Sequence, residues 1–161
     1  MKQILSAMAA VAFAATLGGT PAGADDLVES WSTQGWDGGA YQDPESGEIY
    51  CLLWHEYGDG AEMQLGVDEY GYYMVLVDPE YFEFLSDEPF DTPVRIDDFY
   101  PIDFEAYAEG ADALVIDLGT DVEVLELLAN GERLTLDDWD IWYGLAGSAD
   151  AIGALNDCYG L

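Results

Sequence analysis

One histidine, two cysteines and 34 carboxylates are the side chains of this 161-residue sequence from which chemistry could be built. His55, in the stretch WHEY, is of the type that serves as general base or metal ligand. With no second histidine, zinc would have to take its remaining ligands from carboxylates, which is not how such sites are made. No G-x-S-x-G elbow is present to supply a nucleophile. His55 alternates in phase with Cys51 and Leu53, so it is expected to be a half-buried structural residue on a strand. Paired carboxylates are the apparatus of glycoside hydrolysis, and Glu56 with a carboxylate from 78–109 would be the pair. At this density of Asp and Glu, close pairs arise by chance. A carboxylate-based hydrolase is therefore the lesser alternative, and no catalytic residue is assigned.

Clustered carboxylates also suit a hard cation. Three groups are dense enough: Asp87 and Glu88 with Asp91, Asp97 and Asp98 with Asp103, and Asp137 and Asp138 with Asp140. None follows the EF-hand spacing, so Ca²⁺ binding is the alternative function, and no other cofactor is expected. Between 78 and 109, eleven carboxylates are interleaved with eight aromatic residues. Tyr81, Phe84, Phe99 and Tyr100 form a candidate recognition surface there, since aromatic rings beside acids stack sugars or receive cationic side chains. Alternation in short strands turns about half of the aromatic residues in this stretch inward.

Charge decides which partners fit. Against the 34 acidic residues stand 3 Lys and Arg, for a net charge of −31. Phosphate affinity comes from clustered cations, so nucleic acid and anionic membrane are excluded as partners. With 50% hydrophobic and 14% aromatic residues the chain nevertheless has the material for a core. The acidity then suits either a saline exterior, where repulsion is screened, or a cationic protein or ligand.

Residues 1–24 read as a signal peptide: Lys2, the apolar stretch from Ile4 to Leu17, and the A-x-A-like site Ala22-Gly23-Ala24. Cleavage near Ala24 predicts a periplasmic or secreted protein. It leaves no lysine, a flexible start at 25–30 and a single domain over 31–161. A secreted chain with two cysteines is expected to join them, which predicts a Cys51–Cys158 disulfide.

The elements that must position these residues are mostly strands. Residues 48–56, 62–67 and 72–77 alternate and are separated by Gly-containing turns, predicting an antiparallel meander whose third strand is covered on both faces. Further strands are expected around 94–97, 102–107, 113–118, 133–136 and 139–145. Thr120-x-x-Glu123 reads as a capping box opening a helix to about Ala129, and Gly147-Ser148 caps a terminal helix over 149–158. The fold expected is mainly β, an antiparallel sandwich or small barrel of about eight strands with two short helices. The C-terminal helix is tied to the sheet by the disulfide.

Trp31, Cys51 and the ending Leu145, Gly147, Ser148, Ala151, Leu155, Cys158 resemble small exported alphaproteobacterial proteins grouped loosely with the invasion-associated locus B family. The resemblance implies a secreted β-rich domain without a defined activity. This chain departs from that pattern in its acidity and in lacking further cysteines. The function expected is a non-catalytic, exported, highly acidic binding or accessory domain.

Overall fold

The computed structural model describes residues 26–160 apart from 69, 84, 85 and 87, and ten antiparallel strands in it form one sheet. The signal-peptide stretch lies outside the described residues. β1 (Asp26–Thr33), β2 (Trp36–Gln42), β3 (Ile49–Glu56), β4 (Glu62–Asp68) and β5 (Gly71–Val77) follow one another as neighbours. The chain then builds the hairpin β6 (Phe90–Ile96) and β7 (Ile102–Glu109), and returns as β8 (Ala113–Gly119) between β5 and β7. After α1 (Val122–Asn130), the hairpin β9 (Arg133–Leu136) and β10 (Ile141–Gly144) extends the sheet beyond β6. α2 (Ser148–Tyr159) follows. The mainly β, antiparallel fold with two short helices is the expected one, with ten strands rather than about eight. Among the described residues no helix is long and apolar enough to cross a membrane.

Alternation writes the two faces. Leu53, Leu65, Met74, Ile116 and Ala106 stand opposite one another across β3, β4, β5, β8 and β7, and all are buried. Leu125 and Leu128 of α1 and Ala151, Ile152 and Leu155 of α2 join the same apolar cluster, so both helices lie on this inner face. The sheet is strongly curled. β3 and β10 are seven places apart, which in a flat sheet is about 30 Å. Yet the Tyr57 hydroxyl just after β3 donates to the Gly144 carbonyl at 2.9 Å, and the Trp36 indole N–H donates to the Ala146 carbonyl at 3.0 Å.

The Cys51–Cys158 disulfide forms and ties the last turn of α2 to the inner face of β3. From Asp26 onward the backbone pairs with β2. Three local expectations are corrected. The cap of α1 is Asp121, whose carboxylate accepts the Glu123 amide at 2.9 Å, so the box beginning at Thr120 starts one residue too early. At α2 the cap position is Gly147, in a left-handed conformation with no side-chain bond to the helix amides. The Ser148 hydroxyl instead donates to the Leu128 carbonyl at 2.8 Å, tying the two helices together. β5 also differs from a strand covered on both faces: Tyr72, Met74 and Leu76 are buried, while Tyr73, Val75 and Val77 on the other face are half-buried.

Candidate functional site

The concavity that joins aromatic and acidic groups lies where the β6–β7 turn meets α1. The turn is set by Asp97, whose backbone takes a φ of 50° immediately after β6. Its amide donates to the Arg133 carbonyl at 2.8 Å, and its carboxylate accepts the amides of Glu132 and Arg133 at 3.0 and 2.9 Å. These bonds clamp the turn onto the start of β9 and leave the next two rings in solvent: Phe99 is 60% exposed and Tyr100 94%. Rings of that size are exposed at a real cost in apolar hydration, so their clustering carries more information than a lone surface leucine would.

Phe99 and Asp97 form one wall of a cleft of about 500 Å³. The other wall is α1, through Glu123, Glu126, Leu127 and Asn130, with Gly131 at the corner. The helix presents this side because Leu125 and Leu128 are turned into the core, which leaves 123, 126 and 130 on the outer stripe. The Asn130 amide donates to the Glu126 carbonyl at 2.7 Å, closing the last turn. Gly131 is needed for close approach, since a Cβ there would stand 2.5 Å from Ile96 Cγ2. The cleft thus has an aromatic wall, a partly apolar floor at Leu127 and two solvent-facing carboxylates. Neither Arg95 nor Arg133 lines it. Such a site can take a cation with an apolar stem, the charge against Glu123 and Glu126 and the stem against Phe99 and Leu127.

The sequence-derived candidates divide. Asp97 and Phe99 enter the cleft, with Tyr100 beside them in the turn. Tyr81 is 46% exposed in the loop after β5, its amide donating to the Asp78 carbonyl at 3.2 Å, and it does not line the cleft. Phe84 and Asp87 lie outside the described residues. The described members of the three carboxylate groups are distributed over strands and turns. Asp91 faces Glu105 across the β6–β7 hairpin, and Asp103 faces Pro93. Asp137 holds Arg95 with bonds of 2.7 to 3.1 Å, while Asp138 and Asp140 remain exposed in the same turn, as do Asp98 and Glu88 in theirs. Among the described residues no three His, Cys, Asp or Glu side chains are grouped as a metal site requires.

His55 lies among rings, 5.1 Å from Trp36 and 4.7 Å edge-on to Tyr57. Its Nδ1 donates to the Gly35 carbonyl at 2.7 Å, a structural bond that joins β3 to the β1–β2 turn. The cluster continues to Tyr143, whose ring lies 5.5 Å from that of Tyr57. Burial first, then the nearby carboxylate of Asp78, pushes the Tyr143 hydroxyl above the ordinary range, and among the described residues its buried oxygen has no hydrogen-bond partner. Glu56 has Glu62 on β4 as its cross-strand neighbour.

Sequence reasoning missed Glu123, Glu126, Leu127 and Asn130. The signal was available in the helix pattern, because the outer stripe of α1 repeats acid at a spacing of three. What no local pattern gives is that the β6–β7 turn docks beside that stripe.

No family model matches the chain, and no curated protein matches its sequence. Among solved structures, the crystal structure of invasion associated protein B from Bartonella henselae is similar to it, with a TM-score of 0.56. The match covers 82% of this chain and 97% of that one at 14% identity, a level at which likeness is one of fold. The resemblance read from Trp31, Cys51 and the C-terminal tail thus holds as architecture: this chain is similar in fold to invasion associated protein B.

Proposed function

We propose that the chain is an exported, non-catalytic, highly acidic binding or accessory domain whose cleft receives a cationic side chain of a partner. The observation that carries this reading is the convergence of exposed Phe99 with Glu123 and Glu126 around Leu127. The formal charge of −31 raises the local concentration of any cationic partner before contact. Export is supported by the disulfide and by the apolar stretch from Ile4 to Leu17 followed by the A-x-A-like site at Ala22-Gly23-Ala24.

The test uses the mature chain, residues 25–161, immobilised at low salt and challenged with lysozyme as a cationic protein. Retention is expected, with release near about 0.5 M salt, where the Debye length falls below the reach of surface charges. Phe99→Ser, and separately Glu123→Gln with Glu126→Gln, should weaken retention by about tenfold. Passage of lysozyme unretained, or retention indifferent to these substitutions, would overturn the cleft reading.

A further inference from the structure

The face of the sheet turned away from both helices carries a second surface. Cys51 and Leu53 point to the inner cluster, so Tyr50, Leu52 and Trp54 of β3 point outward. The pairing carries this outward face across the sheet: Leu52 stands opposite Gly66, Gly66 opposite Tyr73, and Tyr73 opposite Asp117. One row over, Trp54, Gln64, Val75, Val115 and Tyr107 are successive partners. The six strands β2, β3, β4, β5, β8 and β7 therefore share one outer surface, and among the described residues no helix covers it.

This surface is not an ordinary solvated face. Leu52 is 4% exposed and Val115 5%, although neither belongs to the inner cluster. Aromatic side chains lie down over it. A Cβ at residue 66 would overlap the Tyr73 ring, so the absence of a side chain at Gly66 is what lets that ring rest flat on the strand. Tyr41 and Tyr50 are stacked with centroids 5.6 Å apart. The flanks are acidic, with Glu105 and Glu109 on β7, Asp117 on β8 and Asp68 on β4. None of the six strands contains a lysine or arginine. Half-buried rings with carboxylates at their margins and no cation among them are complementary to one class of occupant, a segment that alternates basic and apolar side chains. A second copy of the chain brings its own charge of −31 and is repelled.

We infer that the outer face of β2, β3, β4, β5, β8 and β7 is a docking surface for a Lys/Arg-bearing amphipathic segment of a partner protein. Extended segments present alternate side chains with the two-residue period of the strands beneath them, so the apolar residues meet Trp54, Tyr73 and Tyr107 while the basic ones reach the carboxylates. The surface is separate from the cleft at α1, and the two readings stand or fall independently.

The experiment measures binding of two 12-residue peptides to the mature chain by calorimetry. One alternates Arg with Val, and the other alternates Arg with Ser at equal charge. The Arg/Val peptide is expected to bind about tenfold more tightly. Trp54→Ser with Tyr107→Ser should weaken it by about tenfold, and so should Glu105→Gln with Glu109→Gln, which keeps side-chain shape and guards against loss of fold. Phe99→Ser should leave the preference for the Arg/Val over the Arg/Ser peptide unchanged while weakening lysozyme retention, because any arginine held at the cleft is common to both peptides. Equal affinity for the two peptides, indifference to the outer-face substitutions, or tight binding of a neutral oligosaccharide to this face in place of the peptide would overturn the inference.

Discussion

The indole of Trp31 on β1 lies over Gly38 on β2, occupying the space that a side chain at residue 38 would need. The two residues are cross-strand partners, so the ring of one fills the gap left by the other. Gly38→Ala should therefore destabilise the protein by about 1–3 kcal/mol, the usual cost of an added group in a filled space. In a Trp31→Ala background the same substitution should be close to neutral. Urea denaturation of the four proteins measures the coupling. An equal cost in both backgrounds would mean that the ring is not what forbids a Cβ.

The Cys51–Cys158 bond joins residues 107 apart in sequence. Closing a loop of that length in the unfolded chain is worth about 4–5 kcal/mol in the chain-entropy view. The helix it anchors has 12 residues, too short to persist alone. Cys51→Ala with Cys158→Ala should lower stability by about that amount. Amide exchange should rise first in α2, ahead of β3 and β4. Uniform loss of protection across sheet and helix would show that the bond stabilises the whole domain without a special part for α2.

Glu109 sits at the end of β7 on the outer face, and burial raises its pKa above the ordinary 4.5. The folded state holds this proton more tightly than the unfolded one. Its contribution to stability is thus present below pH 4.5 and is lost as pH rises through the folded pKa. Above that range the ionised carboxylate is held partly out of water beside Tyr73 and Tyr107. Glu109→Gln should raise the melting temperature at neutral pH, and the gain should vanish below pH 4.5, where both side chains are neutral. A gain that persists unchanged into acid would point to the amide's own hydrogen bonds instead of the removed charge.

Eight of the ten strands and both helices follow from patterns visible in the sequence, because alternation, turn residues and an apolar helical stripe act locally. The first two strands do not, and Gly38 and Gly39 show why. A Gly-Gly pair within WDGGAYQ has the signature of a loop. It becomes a strand only because Trp31 covers residue 38 and Leu27 and Tyr41 crowd residue 39, contacts that exist after the strands have paired. From sequence β6 reads shorter than its Phe90–Ile96 span for a related reason. Pro93 argues against a strand interior, but β9 pairs only with Val94–Ile96, so the proline sits at the margin of that ladder. The cleft was half legible. Asp97 and Phe99 stand out by composition, whereas Glu123 reads only as part of a capping box and Glu126 carries no signal until the turn is placed against the helix.

The charge itself makes the last prediction. Among the described residues Arg95 and Arg133 are the only basic side chains apart from His55, and Arg95 is already held by Asp137 with Asp98 and Asp140 close by. Salt weakens that single attraction, which lies at the surface and contributes little. It weakens far more repulsions, because folding compresses almost all of the 34 carboxylates into one compact body. Raising NaCl from about 10 mM to 1 M shortens the Debye length from about 30 Å to 3 Å, and the melting temperature should climb throughout. CaCl₂ at equal ionic strength should raise it by a similar amount, since no three ligating side chains are grouped in the described part. A sharp additional rise at submillimolar Ca²⁺ would reveal an ion site assembled from these carboxylates. A melting temperature that falls with NaCl would show that attraction outweighs self-repulsion in the folded chain.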